Sequence, residues 1–150
     1  VTGVQTCALP IYGATCLEPF AGSGALSIEA LSRGAASVTL VDQEAAVVDS
    51  LGESFRTLGA AADQYRIDQQ DALAWLADCD RSFDIIFLDP PFGGDLLSRA
   101  ISLIDAKGLA EAWIYVESDA APAADALPEG WTLHRQKQAG RVHYALCSMP

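Results

Sequence analysis

From Gly13 onward the chain alternates between short apolar runs and segments with a helical stripe, and this alternation constrains its fold more than any other feature. "ATCLEPF" reads as a first strand. "GALSIEALSRGA" follows as a helix, with Leu26, Ile28, Ala30 and Leu31 on one stripe closed by Gly34. "SVTLVD" is a β-branched second strand ending at Asp42, and "EAAVVDSLGESFRTLGA" is a second helix with Val47, Val48, Leu51, Phe55 and Leu58 at helical spacing. "YRIDQ" gives a weak third strand, "DALAWLAD" a short helix, "FDIIFLD" a fourth strand, "GDLLSRAISLID" a helix and "AWIYVES" a fifth strand. The Ala/Pro-rich "DAAPAADALPEG" is a loop with at most a helical turn, and "WTLHRQKQAGRVHYALCSM" reads as two strands joined around Ala139 and Gly140. Strands alternating with helices imply right-handed crossovers and a mostly parallel sheet, here closed by an antiparallel hairpin. With 150 residues, 51% of them hydrophobic, and no internal repeat, a single α/β domain is expected.

Composition excludes several classes. No apolar run approaches the ~18 residues of a membrane-spanning helix, so no membrane partner is expected. The start lacks a basic n-region and Pro10 breaks its apolar run, so a secretory signal is not expected either, and a cytoplasmic protein is. Cys7, Cys16, Cys79 and Cys147 form no CxxC pair, which argues against a metal site and for small buried thiols. The net charge of −11 has the wrong sign for a protein that grips phosphates, because nucleic-acid affinity comes largely from Lys and Arg.

The turn "EPFAGSGALSIEA" places Gly22 and Gly24 between the first strand and the first helix. In an open α/β sheet, ligands bind at the carboxyl ends of the strands, where glycines let the backbone come close and a helix N-terminus offers free N–H groups. Asp42, at the end of the second strand, is suitably spaced to accept from both hydroxyls of a ribose; the competing reading is a solvated acid at a strand end. Together the two features indicate a nucleoside-containing cofactor. The dinucleotide fingerprint needs a small residue where Ser27 stands, and Glu18 would repel a pyrophosphate. A carboxylate suits a cationic ligand, which favours S-adenosyl-L-methionine, with its ammonium and sulfonium, over NAD. Asp71 could accept from the exocyclic amine of adenine, cap the following helix, or do both.

The fourth strand runs into Asp89-Pro90-Pro91-Phe92 in the same crevice. The two prolines have fixed φ and no N–H, so the loop is stiff and its carbonyls can accept. An amine conjugated to a purine is a poor nucleophile. Two acceptors, such as Asp89 and the Pro90 carbonyl, would hold its hydrogens, turn its lone pair toward a methyl group and disperse the developing charge. Phe92 would offer a face for an extruded base. A tight turn with Phe92 in the core is the competing reading. His134 and His143 lie on the hairpin, away from this chemistry, and Trp75, Trp113 and Trp131 read as core or edge packing.

Asp89 to Phe92 resembles the (D/N)PP(Y/F) motif of Rossmann-like amino-methyltransferases. "FAGSGALSIEALSRGAASVTLVD", "FDIIFLDPPF", "WIYVES" and "WTLHRQKQAGRVHYAL" resemble, more specifically, the RsmD family of bacterial 16S rRNA guanine-N2 methyltransferases, from Gly13 to about Cys147. The resemblance implies the Rossmann-like class I S-adenosylmethionine-dependent fold, with a mostly parallel seven-stranded sheet. It implies cofactor contacts at Glu18, Phe20, Gly22, Ser23, Gly24, Asp42, Asp71 and Ala72, and a catalytic loop of Asp89, Pro90, Pro91 and Phe92. The implied partner is 16S rRNA within the small ribosomal subunit or its assembly intermediate, met by a monomer. Transfer to another amine (adenine N6, protein glutamine), or a cofactor-binding fragment without activity, are the alternatives. Pro19 stands where the family usually has Leu, Asp42-Gln43-Glu44 replaces a typical Glu-Lys-Asp, and Ser54 replaces a common Asn. Family members normally begin with a basic segment; residues 1–12 resemble none of it, and a truncated chain with a foreign front stretch is expected. Arg135, Lys137 and Arg141 on the hairpin form a small basic cluster that could touch RNA or be a solvated face.

Overall fold

The computed structural model describes residues 9–120 and 126–150. Seven strands among them form one sheet: β1 (Thr15–Glu18), β2 (Ser37–Asp42), β3 (Tyr65–Gln69), β4 (Phe83–Leu88), β5 (Ala110–Ser118), β6 (Thr132–Ala139) and β7 (Val142–Ser148). Four helices connect them: α1 (Ala25–Ser32), α2 (Ala45–Thr57), α3 (Ala72–Asp78) and α4 (Leu96–Lys107). The strand order is β3-β2-β1-β4-β5-β7-β6, with β1 to β5 parallel and β7 antiparallel to both β5 and β6. The expected architecture is therefore present.

The unbroken apolar run of β4 is explained by cover on both faces, as in a central parallel strand. Ile85 and Phe87 join Leu26 and Ala30 of α1 and Leu51 and Phe55 of α2 on one side. Ile86 and Leu88 join Leu73 and Leu76 of α3 and Ala100 and Ile104 of α4 on the other. At the opposite end from the site, Asp84 Oδ2 accepts from Thr15 N (2.9 Å) and Oγ1 (3.2 Å), tying the start of β1 to β4.

Some sequence expectations are corrected. Leu58, placed on the buried stripe of the second helix, is 60% exposed, because α2 ends at Thr57 and the chain turns at Gly59 before the stripe repeats. The hairpin is not remote from the site. His143 pairs with Ser118 at the carboxyl end of β5, so the β6–β7 turn projects from the same edge of the sheet as the Asp89 loop. Cys16, Cys79 and Cys147 are buried free thiols, while Cys7 lies outside the described residues. Of the stretch 1–12, residues 1–8 lie outside them as well, and Leu9 and Ile11 are buried in the core. Residues 121–125 of the expected Ala/Pro-rich loop are likewise outside.

Candidate active site

The strand order reverses between β1 and β4, and the crevice outside their carboxyl ends is where an open α/β sheet binds its ligand. A cleft of about 470 Å³ opens there, within the ~300–1,000 Å³ usual for cofactor sites. Phe20, Gly22, Asp42, Asp71 and Ala72 line one part of it, and Asp89, Pro90, Pro91 and Phe92 the other, with Pro19, Gln43 and Leu96 between and around them. The two sets of residues singled out from separate stretches of sequence thus share one cavity.

Local chemistry explains the shape of the first wall. Gly22 and Gly24 both have positive φ (54° and 74°), which a side chain would strain. Gly24 is the N-cap of α1 and lies against the core: a Cβ there would come within 2.6 Å of Leu51 Cδ2. A glycine cap has no side-chain acceptor, and Glu18 supplies one from β1. Glu18 Oε1 accepts from Ser27 N (3.2 Å) and Ser27 Oγ (2.7 Å) in the first turn of α1. Glu18 is therefore buried behind the wall rather than lining it. Gly24 also stands behind the wall, and Ser23 is exposed on the loop.

Asp42 ties the glycine turn to β2. Its Oδ2 accepts from Gly22 N (3.1 Å) and its Oδ1 from Glu44 N (3.0 Å), and each carboxylate oxygen retains a second lone pair. Asp71 Oδ2 caps α3 by accepting from Ala74 N (3.0 Å), and the residue also lines the cleft. Phe92 is 51% exposed, which excludes the reading in which it is a core residue.

The second wall is acidic. Asp89 follows β4 and Glu117 is the last residue but one of β5, next to each other because Leu88 pairs with Val116. Their carboxyls are hydrogen-bonded, and Tyr115 Oη donates to Glu117 Oε1 at 3.0 Å. Burial raises the pKa of Asp89, and the bond from Glu117 partly offsets this. Glu117 is raised by burial and by the charge of Asp89. Burial pushes Glu18 up to about 8 against the pull of its two Ser27 bonds, with smaller contributions from Asp89 and Glu117. The charges of Asp89 and Glu117 thus reach Glu18 across the ends of β1, β4 and β5. Sequence reasoning missed Glu117, although Tyr115 and Glu117 sit two apart on a strand adjoining β4, at the end where the ligand binds. That position was the available signal.

Among the described residues no group of three or more His, Cys, Asp or Glu could hold a metal ion. Trp75 and Trp131 are buried, donating to Asp68 and Asp105 respectively. Trp113 packs by His134 on the hairpin.

The open sheet order, the glycine turn capped by its own carboxylate, and the Asp-Pro-Pro-Phe loop define a Rossmann-like α/β methyltransferase. The methyltransferase yhhF of Escherichia coli has the same fold, with a TM-score of 0.87 at 40% identity, over 99% of this chain and 81% of that one. The family described as conserved hypothetical protein 95 matches residues 4–148. Ribosomal RNA small subunit methyltransferase D of Escherichia coli K12 is 44% identical over 138 residues, covering 91% of this chain and 69% of that protein. Its Haemophilus influenzae counterpart is 38% identical over 140 residues, covering 91% and 72%. The chain belongs to the RsmD family, the small-subunit ribosomal RNA methyltransferases D.

Proposed function

We propose that this protein transfers a methyl group from S-adenosyl-L-methionine to the exocyclic N2 amine of a guanine in 16S rRNA. It acts as a cytoplasmic monomer on the small ribosomal subunit or its assembly intermediate. The carrying observation is that the Asp89-Pro90-Pro91-Phe92 loop and the Asp42–Asp71 wall enclose one cleft, with Phe92 exposed at its rim. The names of the family relatives support the choice of small-subunit RNA.

The residues present fit the cofactor. Asp42 would take the ribose hydroxyls on its remaining lone pairs, while Phe20 and Ala72 flank the adenine and Asp71 accepts from its amine. The bound cofactor supplies an electrophilic methyl carbon on a sulfonium. Asp89 and the Pro90 carbonyl each accept one N–H of the guanine amine. This frees the nitrogen lone pair to attack, and it stabilises the positive charge that builds on nitrogen. Phe92 stacks on the base and holds it against this pair of acceptors. Held by these residues, the cofactor would supply the methyl group and keep the electron pair of its carbon–sulfur bond, and the proton released by the amine nitrogen would pass to solvent.

The test is transfer of tritiated methyl to small subunits from cells lacking the modification. Label at guanine N2 of 16S rRNA is expected. Asp89→Ala should lower transfer by at least about 10²-fold while leaving cofactor affinity nearly unchanged by calorimetry. Label elsewhere would overturn the assignment of guanine N2, and an equal loss of cofactor affinity in Asp89→Ala would overturn the role of Asp89.

A further inference from the structure

Glu117 adjoins Asp89, and the reaction above gives it no task. It sits at the carboxyl end of β5, half-buried, hydrogen-bonded to Asp89 and anchored by Tyr115 Oη at 3.0 Å. Tyr115 is itself 1% exposed and is held between Phe87 (6.4 Å, edge-on) and Tyr144 (6.3 Å, stacked), so the anchor is rigid. Among the described residues, the groups whose charge acts on this pair are acidic or phenolic: Glu18 on β1, Tyr115 on β5 and Tyr144 on β7.

Two adjacent carboxyls with no cation of the described residues beside them cannot both be ionised cheaply, so the pair retains a proton. The geometry decides which acid carries it. Asp89 must present a lone pair to the amine, whereas Glu117 already accepts from Tyr115 on one oxygen and can donate from the other.

We propose that Glu117 is a positioning residue for Asp89: it holds the proton the two acids share and donates it to Asp89, fixing that carboxylate as an acceptor aimed at the substrate amine. The inference rests on the assignment of Asp89 as the amine's acceptor. Burial raises both carboxyls, and their bond adds to the rise of Glu117 while it offsets part of the rise of Asp89. When the shared proton is lost at high pH, two carboxylates face each other, Asp89 is repelled from its place, and turnover falls.

Two measurements test this, the first without substrate. Carboxyl carbon NMR of the labelled protein should show Asp89 and Glu117 titrating as a coupled pair in two separated steps, with Asp89 reduced to a single step in Glu117→Gln. Independent titrations at ordinary carboxylate values would overturn the proposal whether or not the protein methylates RNA. If wild type transfers no methyl to small subunits while the coupled pair is present, it is the functional reading that fails.

The second measurement is the pH profile of single-turnover transfer. Gln can donate to Asp89 and accept from Tyr115, so Glu117→Gln should stay within about threefold of wild type at neutral pH and lose the alkaline limb. Glu117→Leu should lower the rate at least about tenfold with cofactor affinity unchanged, and the Gln variant controls for any loss of folding. An alkaline limb that persists in Glu117→Gln and disappears in Glu18→Gln would assign it to Glu18 and overturn the proposal, as would a Leu variant as fast as wild type.

Discussion

Asp42 carries two tasks with one side chain. Its oxygens hold Gly22 N and Glu44 N and so set the glycine turn, and the residue lines the cleft. Asp42→Ala should weaken cofactor binding by about 1.5–3 kcal/mol, because charge-assisted bonds disappear and water compensates only in part. Calorimetry reads this directly, and an unchanged dissociation constant would remove Asp42 from the site. Glu18 makes the opposite use of a carboxylate, since it faces inward and its pKa is raised from 4.5 to about 8. The folded state then holds a proton that the unfolded state has released, so stability is fully present below pH 4.5 and is lost as pH rises toward and through 8. Glu18→Gln can still accept both Ser27 bonds without titrating. Urea melts should therefore show the variant gaining on wild type by a few kcal/mol between pH 5 and pH 8. A constant difference would mean that Glu18 is ionised throughout.

Elements differ in how openly the sequence announces them. β2 and β4 were legible because a continuous apolar run of strand length has few alternatives in a chain that alternates strands with helices. α1 was legible from its stripe and from Gly34. Its entry was legible only in part, because the glycine pattern does not say that Glu18 of β1 would supply the cap that Gly24 lacks. The Asp-Pro-Pro-Phe loop could be read because proline and an acid at a strand tip carry a local meaning. The Asp89–Glu117 pair could not, because it depends on β4 and β5 being neighbours in register, Leu88 against Val116. The hairpin was recognised as a hairpin, but its position near the site follows from β7 inserting between β5 and β6, and nothing local encodes that order. Local chemistry was therefore readable, while contacts made by strand pairing were not.

At the scale of the whole molecule the difficulty is charge, since a net −11 must meet a polyanion. The distribution of the nine basic residues answers part of it. Arg66 is paired with Asp68 and Arg99 with Asp95, Arg81 donates to Thr39, and Lys107 donates to the Ala77 carbonyl. Arg135, Lys137 and Arg141 are exposed, and among the described residues no ion pair holds them. Arg135 and Lys137 stand two apart on β6, opposite Leu146 and Tyr144, and so share one face of the hairpin. Arg141 is in the turn that projects from the same end of the sheet as the Asp89 loop. Three such cations on the hairpin would each displace counterions from a phosphate they touch. Replacing all three with Ala should weaken binding to small subunits. It should also flatten the dependence of log K on log salt by roughly 0.7–0.9 for each phosphate no longer neutralised, thus by about 2 to 3 in all. The cofactor's dissociation constant, set in the cleft, should not move. Binding measured across a salt series separates the two readings of this hairpin: an unchanged slope would make it a solvated edge strand protected by its charges, and a reduced slope would make it an RNA-binding face.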